Sequence, residues 1–99
     1  MKLREIAHSR TGDKGNTSNI SLIAYRAEDY ALLKEKITPE KVKAWFADIV
    51  TGEVIRYELP AIGALNFVMY GALGGGVTRS LALDMHGKGL SSAILDIDI

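Results

Sequence analysis

Between Ala27 and Asp48 apolar residues recur at spacings of three and four, and a proline cuts the pattern in two. Ala27, Tyr30, Leu33 and Ile37 form the first stripe; Val42, Trp45, Phe46 and Ile49 form the second. Proline lacks a backbone N–H and its ring clashes with the preceding turn, so one continuous straight helix is excluded and a break is expected near Ile37. Thr38 is the expected N-cap of the second piece, with Pro39 at its first helical position. Gly52 suits the turn beyond the helix end. Tyr30, Trp45 and Phe46, at helical spacing, are expected in the core.

Strand-like segments flank this region on both sides, two with alternating apolar and polar residues and one, Asn19 to Tyr25, β-branched and apolar as in a well-buried strand. Lys2 to His8, Asn19 to Tyr25 and Glu53 to Leu59 read as strands, the third ending at Pro60. Ser9 to Ser18 holds no apolar side chain and reads as a long loop, too short for a helical crossover, so the strands it joins are expected to be antiparallel. Residues 61–73 fit both periods: Ile62, Leu65, Met69, Ala72 and Leu73 fit a helix, and Leu65, Phe67 and Met69 fit a strand. The run exceeds the usual strand length, which favours a short helix. Val77 to Asp84 reads as a strand, His86 to Gly89 as a turn, and the tail from Leu90 as helical before strand-like alternation at Leu95, Ile97 and Ile99.

This order predicts an α+β fold, a ferredoxin-like two-layer sandwich. Its sheet would be mixed or antiparallel, of four or five strands, with helices on one face. There is no internal repeat, low-complexity tract or linker, and 99 residues make one domain, residues 1–99. Apolar residues on both faces of the second strand suggest that the sheet's other face is buried by homo-oligomerisation.

Composition narrows the chemistry. Twelve basic and twelve acidic residues cancel, so the basic surplus of a non-specific nucleic-acid or membrane binder is missing. The absence of cysteine removes disulfides, thiolate metal sites and a cysteine nucleophile. No apolar run reaches the roughly 20 residues of a bilayer span. Met1-Lys2-Leu3-Arg4-Glu5 lacks the apolar stretch of a signal peptide, so a cytoplasmic protein is expected.

Two segments concentrate groups capable of chemistry. His8 to Asn19 offers Arg10 and Lys14 as cations for an anion, His8 and Asp13 as the weak candidates for an acid or base, and Asn16 and Ser18 as bracing groups. A link of ten residues exceeds an ordinary hairpin loop, which favours a ligand or partner role. Gly12 to Ser18 superficially resembles a phosphate-binding P-loop, but its lysine precedes the second glycine and a strand follows, so nucleotide hydrolysis is excluded. In Gly71 to Arg79, the consecutive Gly74, Gly75 and Gly76 would turn backbone amides toward an anion held by Arg79, with Thr78 bracing the loop and Lys88 adding charge. Asn66 stands in an apolar run and needs partners if buried, or braces a neighbouring loop. His8, His86, Asp13 and Asp84 lack metal-ligand spacing, and no nucleophile elbow supports a triad built on Ser9 or Ser18, so neither metal nor cofactor is expected.

Taken together, these segments resemble a known family. The string Leu3-Arg4-Glu5-Ile6-Ala7-His8-Ser9-Arg10-Thr11-Gly12-Asp13-Lys14-Gly15-Asn16-Thr17-Ser18-Asn19-Ile20 is similar to the opening of the small AtuA-like domain. Arg56-Tyr57-Glu58-Leu59-Pro60, Ala64-Leu65-Asn66-Phe67-Val68 and Gly71 to Leu81 are similar to its later parts, and Asp84, Gly87 and Lys88 match its closing pattern. The resemblance covers nearly the whole chain and implies a ferredoxin-like fold. In that family the domain often follows a larger AtuA domain (acyclic terpene utilisation) and also occurs free-standing. The resemblance implies association with a large AtuA-like protein in bacterial catabolism through acyl-CoA compounds. It supplies no established catalytic residues.

Overall fold

The computed structural model describes residues 1–14, 17–47, 50–71 and 92–99. Four strands, β1 (Ala7–Lys14), β2 (Thr17–Ala24), β3 (Val54–Leu59) and β4 (Ala64–Tyr70), form an antiparallel sheet in the order β1-β2-β4-β3. β2 and β3 run parallel with β4 between them, and the helices α1 (Tyr30–Lys36) and α2 (Pro39–Trp45) connect the two. This is the split β-α-β unit of ferredoxin-like folds. β1 extends the sheet on the far side of β2.

The helical break falls as expected. α1 ends at Lys36, and the Thr38 hydroxyl accepts a hydrogen bond from the Lys41 amide at 3.1 Å, capping α2. The core lies between the helices and one sheet face: Leu33, Ile37 and Val42 pack with Ile20, Leu22, Leu65, Phe67 and Met69, all fully buried. At the ends of the chain, Leu3 donates to the Ile97 carbonyl at 2.9 Å, Ile99 donates to the Met1 carbonyl at 2.9 Å, and Ile94 and Ile97 join the core.

Four sequence expectations need correction. The first strand does not begin at Lys2. Leu3–Glu5 form a 3-10 turn, in which Leu3 and Ile6 are buried at a three-residue spacing, and the strand starts at Ala7. Second, most of the expected loop from Ser9 to Ser18 is paired backbone: Arg10 faces Ser21, Thr11 faces Ile20, and Lys14 faces Thr17, leaving two residues between the strands. Polar side chains are compatible with β1 because it lies at the edge of the described sheet. The link between the two strands is therefore no longer than that of an ordinary hairpin.

Third, residues 64–70 form strand β4, not a helix, with only a 3-10 turn at Pro60–Ile62 before it. The two-residue period of Leu65, Phe67 and Met69 prevails because β4 is central and paired on both sides. Fourth, Trp45 is not a core residue. It is 44% exposed and donates its indole N–H to the Ala93 carbonyl at 3.0 Å, while Phe46 takes the core position. In the tail, residues 92–94 are helical and a single bridge joins Asp98 to Lys2. Ile49, the strand expected at Val77 to Asp84 and the turn at His86 to Gly89 lie outside the described residues.

Candidate functional site: the open face of the sheet

Strand alternation gives the sheet two unlike faces. One is sealed by the helices. No described element packs over the other, which carries His8 and Arg10 on β1, Thr17, Asn19, Ser21 and Ile23 on β2, Asn66, Val68 and Tyr70 on β4, and Ile55, Tyr57 and Leu59 on β3. Ile23 is the sole apolar residue of β2 on this face, fewer than expected from the sequence.

The register aligns Arg10, Ser21, Asn66 and Tyr57 in one row across all four strands. Asn66 Nδ2 donates to Ser21 Oγ at 2.9 Å and lies 3.5 Å from Asn19 Oδ1, so it ties β4 to β2 rather than bracing a loop. Gly12 faces Asn19 across the β1–β2 pair, and a Cβ at Gly12 would sit 3.0 Å from Asn19 Nδ2. Glycine there leaves room for the amide to lie over β1. His8 stacks on Tyr25, with ring centroids 5.3 Å apart and an interplanar angle of 24°.

Val54 is buried on the helix side, but beyond it β3 departs from the usual pattern. Its apolar Ile55, Tyr57 and Leu59 face away from the helices, and Arg56 and Glu58 face toward them. The reversal is anchored by Arg56, whose Nη1 donates to the Lys34 carbonyl at 2.7 Å and the Ile37 carbonyl at 3.0 Å. Pro39 stops α1 from continuing, so these C-terminal carbonyls need donors, and a cation favours that end of the helix dipole. Glu58 faces Arg56 at 3.3 Å and Lys34 at 3.4 Å. Sequence reasoning assigned no role to Arg56, Tyr57, Asn19 or Ser21. The available signal was a charged residue at a position alternating with Val54, which requires buried partners.

The other predicted residues are distributed as follows. Arg10 is exposed on the open face. Ser18 is fully buried on the helix side and donates to the Gly12 carbonyl at 3.2 Å, bracing β1 against β2. Along β1, His8 and Asp13 stand five residues apart, about 17 Å of extended backbone. Asp13 and Lys14 close β1 opposite Ser18 and Thr17. Thr17 in turn faces Tyr70, so the hairpin end and Gly71, where the glycine-rich segment starts, share one end of the sheet. Gly71 has φ +74°, and a Cβ would lie 2.5 Å from Thr51 Oγ1, whose hydroxyl donates to the Gly71 carbonyl at 3.2 Å. Asn16, Gly74, Gly75, Gly76, Thr78, Arg79 and Lys88 lie outside the described residues. Among the described residues, no group of three or more metal-ligating side chains converges, and no helix is long and apolar enough to cross a membrane.

The family model of the AtuA ferredoxin-like domain matches residues 1–99, the whole chain. The chain belongs to this family. No curated protein and no solved structure matches it. The split β-α-β topology and the helices packed on one sheet face agree with the ferredoxin-like fold of the AtuA ferredoxin-like domain.

Proposed function

We propose that this AtuA ferredoxin-like domain is an accessory subunit or binding module. It works with a large AtuA-type protein in the bacterial catabolism of terpenoid or related acyl-CoA compounds. The observation that carries this reading is a sheet sealed on one face and uncovered by any described element on the other, in a chain that belongs to an AtuA family. A domain of 99 residues can spend a whole sheet face on a partner only if the opposite face supplies its core, as the helix side does here. Co-expression with the large AtuA-type protein of the same organism, followed by size-exclusion chromatography, tests the reading. Co-elution at micromolar concentration is expected, and separate elution would count decisively against it.

A second reading, binding of a carboxylate, phosphate or CoA thioester, draws support from Arg10, whose guanidinium has no carboxylate partner among the described residues. In this reading Arg10, Lys14, Arg79 and Lys88 supply charge and the Gly74–Gly76 amides supply donors. Titration calorimetry with a CoA thioester on wild type and Arg79→Ala decides it. Heat that disappears in the variant supports the site, and silence from both removes it for the isolated chain.

A further inference from the structure

We propose that the open sheet face is itself the docking surface, and that its occupant is a protein surface with carboxylates opposite β1 and apolar side chains opposite β3. The inference rests on the accessory-subunit reading and deepens it by fixing the face and the chemistry of the partner.

Two independent observations support it. The first is the reversal of β3. A slip of one residue would turn Ile55, Tyr57 and Leu59 inward and Arg56 and Glu58 outward, with Val54 leaving the core. The structure holds the opposite register through the bonds of Arg56 to α1, leaving Tyr57 51% and Leu59 41% exposed. Tyr70, on the same face of β4, is 43% exposed. Large aromatic side chains held on a rigid strand are typical anchors of protein interfaces.

The second observation is charge. Glu58, the acidic residue of β3, lies on the helix side, where it pairs with Lys34 and Arg56. Among the described side chains of the open face, Arg10 supplies the guanidinium and none is a carboxylate. Of the four described arginines, Arg4 pairs with Asp96, Arg26 with Glu28 and Asp29, and Arg56 with Glu58. Arg10 alone has no such partner among the described residues. The face thus grades from cationic at β1, through the amides and hydroxyl of Asn19, Ser21 and Asn66, to apolar at β3. A complementary surface grades from acidic to apolar in the same direction. The face measures about 20 by 23 Å from strand spacing and rise. It is an extended surface suited to a protein partner, whereas small-molecule sites are concave.

The test measures binding to the large AtuA-type protein of the same organism by calorimetry, for wild type, Arg10→Glu, Tyr57→Ala and Lys43→Glu, the last placing a charge on α2. Arg10→Glu is expected to weaken binding by about 30-fold or more, and Tyr57→Ala by about tenfold. Lys43→Glu is expected to stay within about twofold, as surface changes outside an interface do. Affinity is expected to fall as salt rises, since the cationic edge is solvent-accessible. If Arg10→Glu loses its cooperative thermal transition, Arg10→Gln replaces it, with an expected loss of about tenfold. Wild-type binding that neither open-face variant weakens, or that Lys43→Glu alone weakens, overturns this inference and leaves the accessory-subunit reading standing. No wild-type binding at tens of micromolar overturns that reading and the inference with it. Self-association without partner binding, dispersed by the same variants, assigns the face to a second copy and overturns the hetero-partner.

Discussion

Along β4, successive side chains enter two different environments. Leu65, Phe67 and Met69 are fully buried against the helices, while Asn66 and Val68 are half-buried and Tyr70 is exposed on the other side. The same division runs through β2, where Ile20 and Leu22 face the core and Asn19 and Ser21 do not. On β3 Val54 keeps to it, but from Ile55 to Leu59 it is inverted, and Tyr57 and Leu59 stand exposed. The helix-side residues are explained by folding. On the open face Asn66 and Ser21 tie two strands together, whereas Tyr57 and Leu59 are substantially exposed and stabilise the fold little. Composition without a stability rationale on a rigid surface points to recognition.

Substitutions sharpen or break this division. Phe67→Ala removes the central helix-side ring and is expected to cost about 3–5 kcal/mol in chemical denaturation, enough to threaten folding in a domain of this size. Arg56→Met leaves the Lys34 and Ile37 carbonyls without their donor, and about 2 kcal/mol is expected from the same measurement. Arg56→Lys should recover only part, because one ammonium fits two carbonyls and Glu58 less well than a guanidinium. Thr38→Ala deletes the α2 cap and is expected to cost about 1 kcal/mol, read as a lowered midpoint with an unchanged denaturant slope. Tyr57→Ala is expected to change stability by no more than about 0.5 kcal/mol. A cost comparable to that of Phe67→Ala would mean that Tyr57 belongs to the folding core, and the contrast between the faces would collapse.

The helical break, the Thr38 cap, the antiparallel β1–β2 pair and the α+β class were legible because each rests on local chemistry: a missing N–H, a hydroxyl at a cap, a short connection. The extent of β1 was not legible. A polar edge strand is specified by its cross-strand partners, and Thr11-Gly12-Asp13 has no local signal that outweighs its loop-like composition. β4 was ambiguous for the opposite reason: a central strand is apolar enough to match a helical period as well. The sequence places Arg10 in a loop and Asn66 in a separate apolar run. The register joins them in one row, and register is a property of four strands together. Arg56 was overlooked because its partners are main-chain carbonyls created by a proline on a different element.

The reversal of β3 also bears on solubility. β3 is an edge of the described sheet, and an edge strand with an apolar outer face is a template for pairing with another chain. Two features oppose this. Pro60 ends the strand with a residue that cannot donate to a growing ladder, and Arg56 and Glu58 place charge at alternate positions along it. The sequence Val54 to Pro60 therefore combines an exposed apolar surface with its own gatekeepers against edge-to-edge pairing.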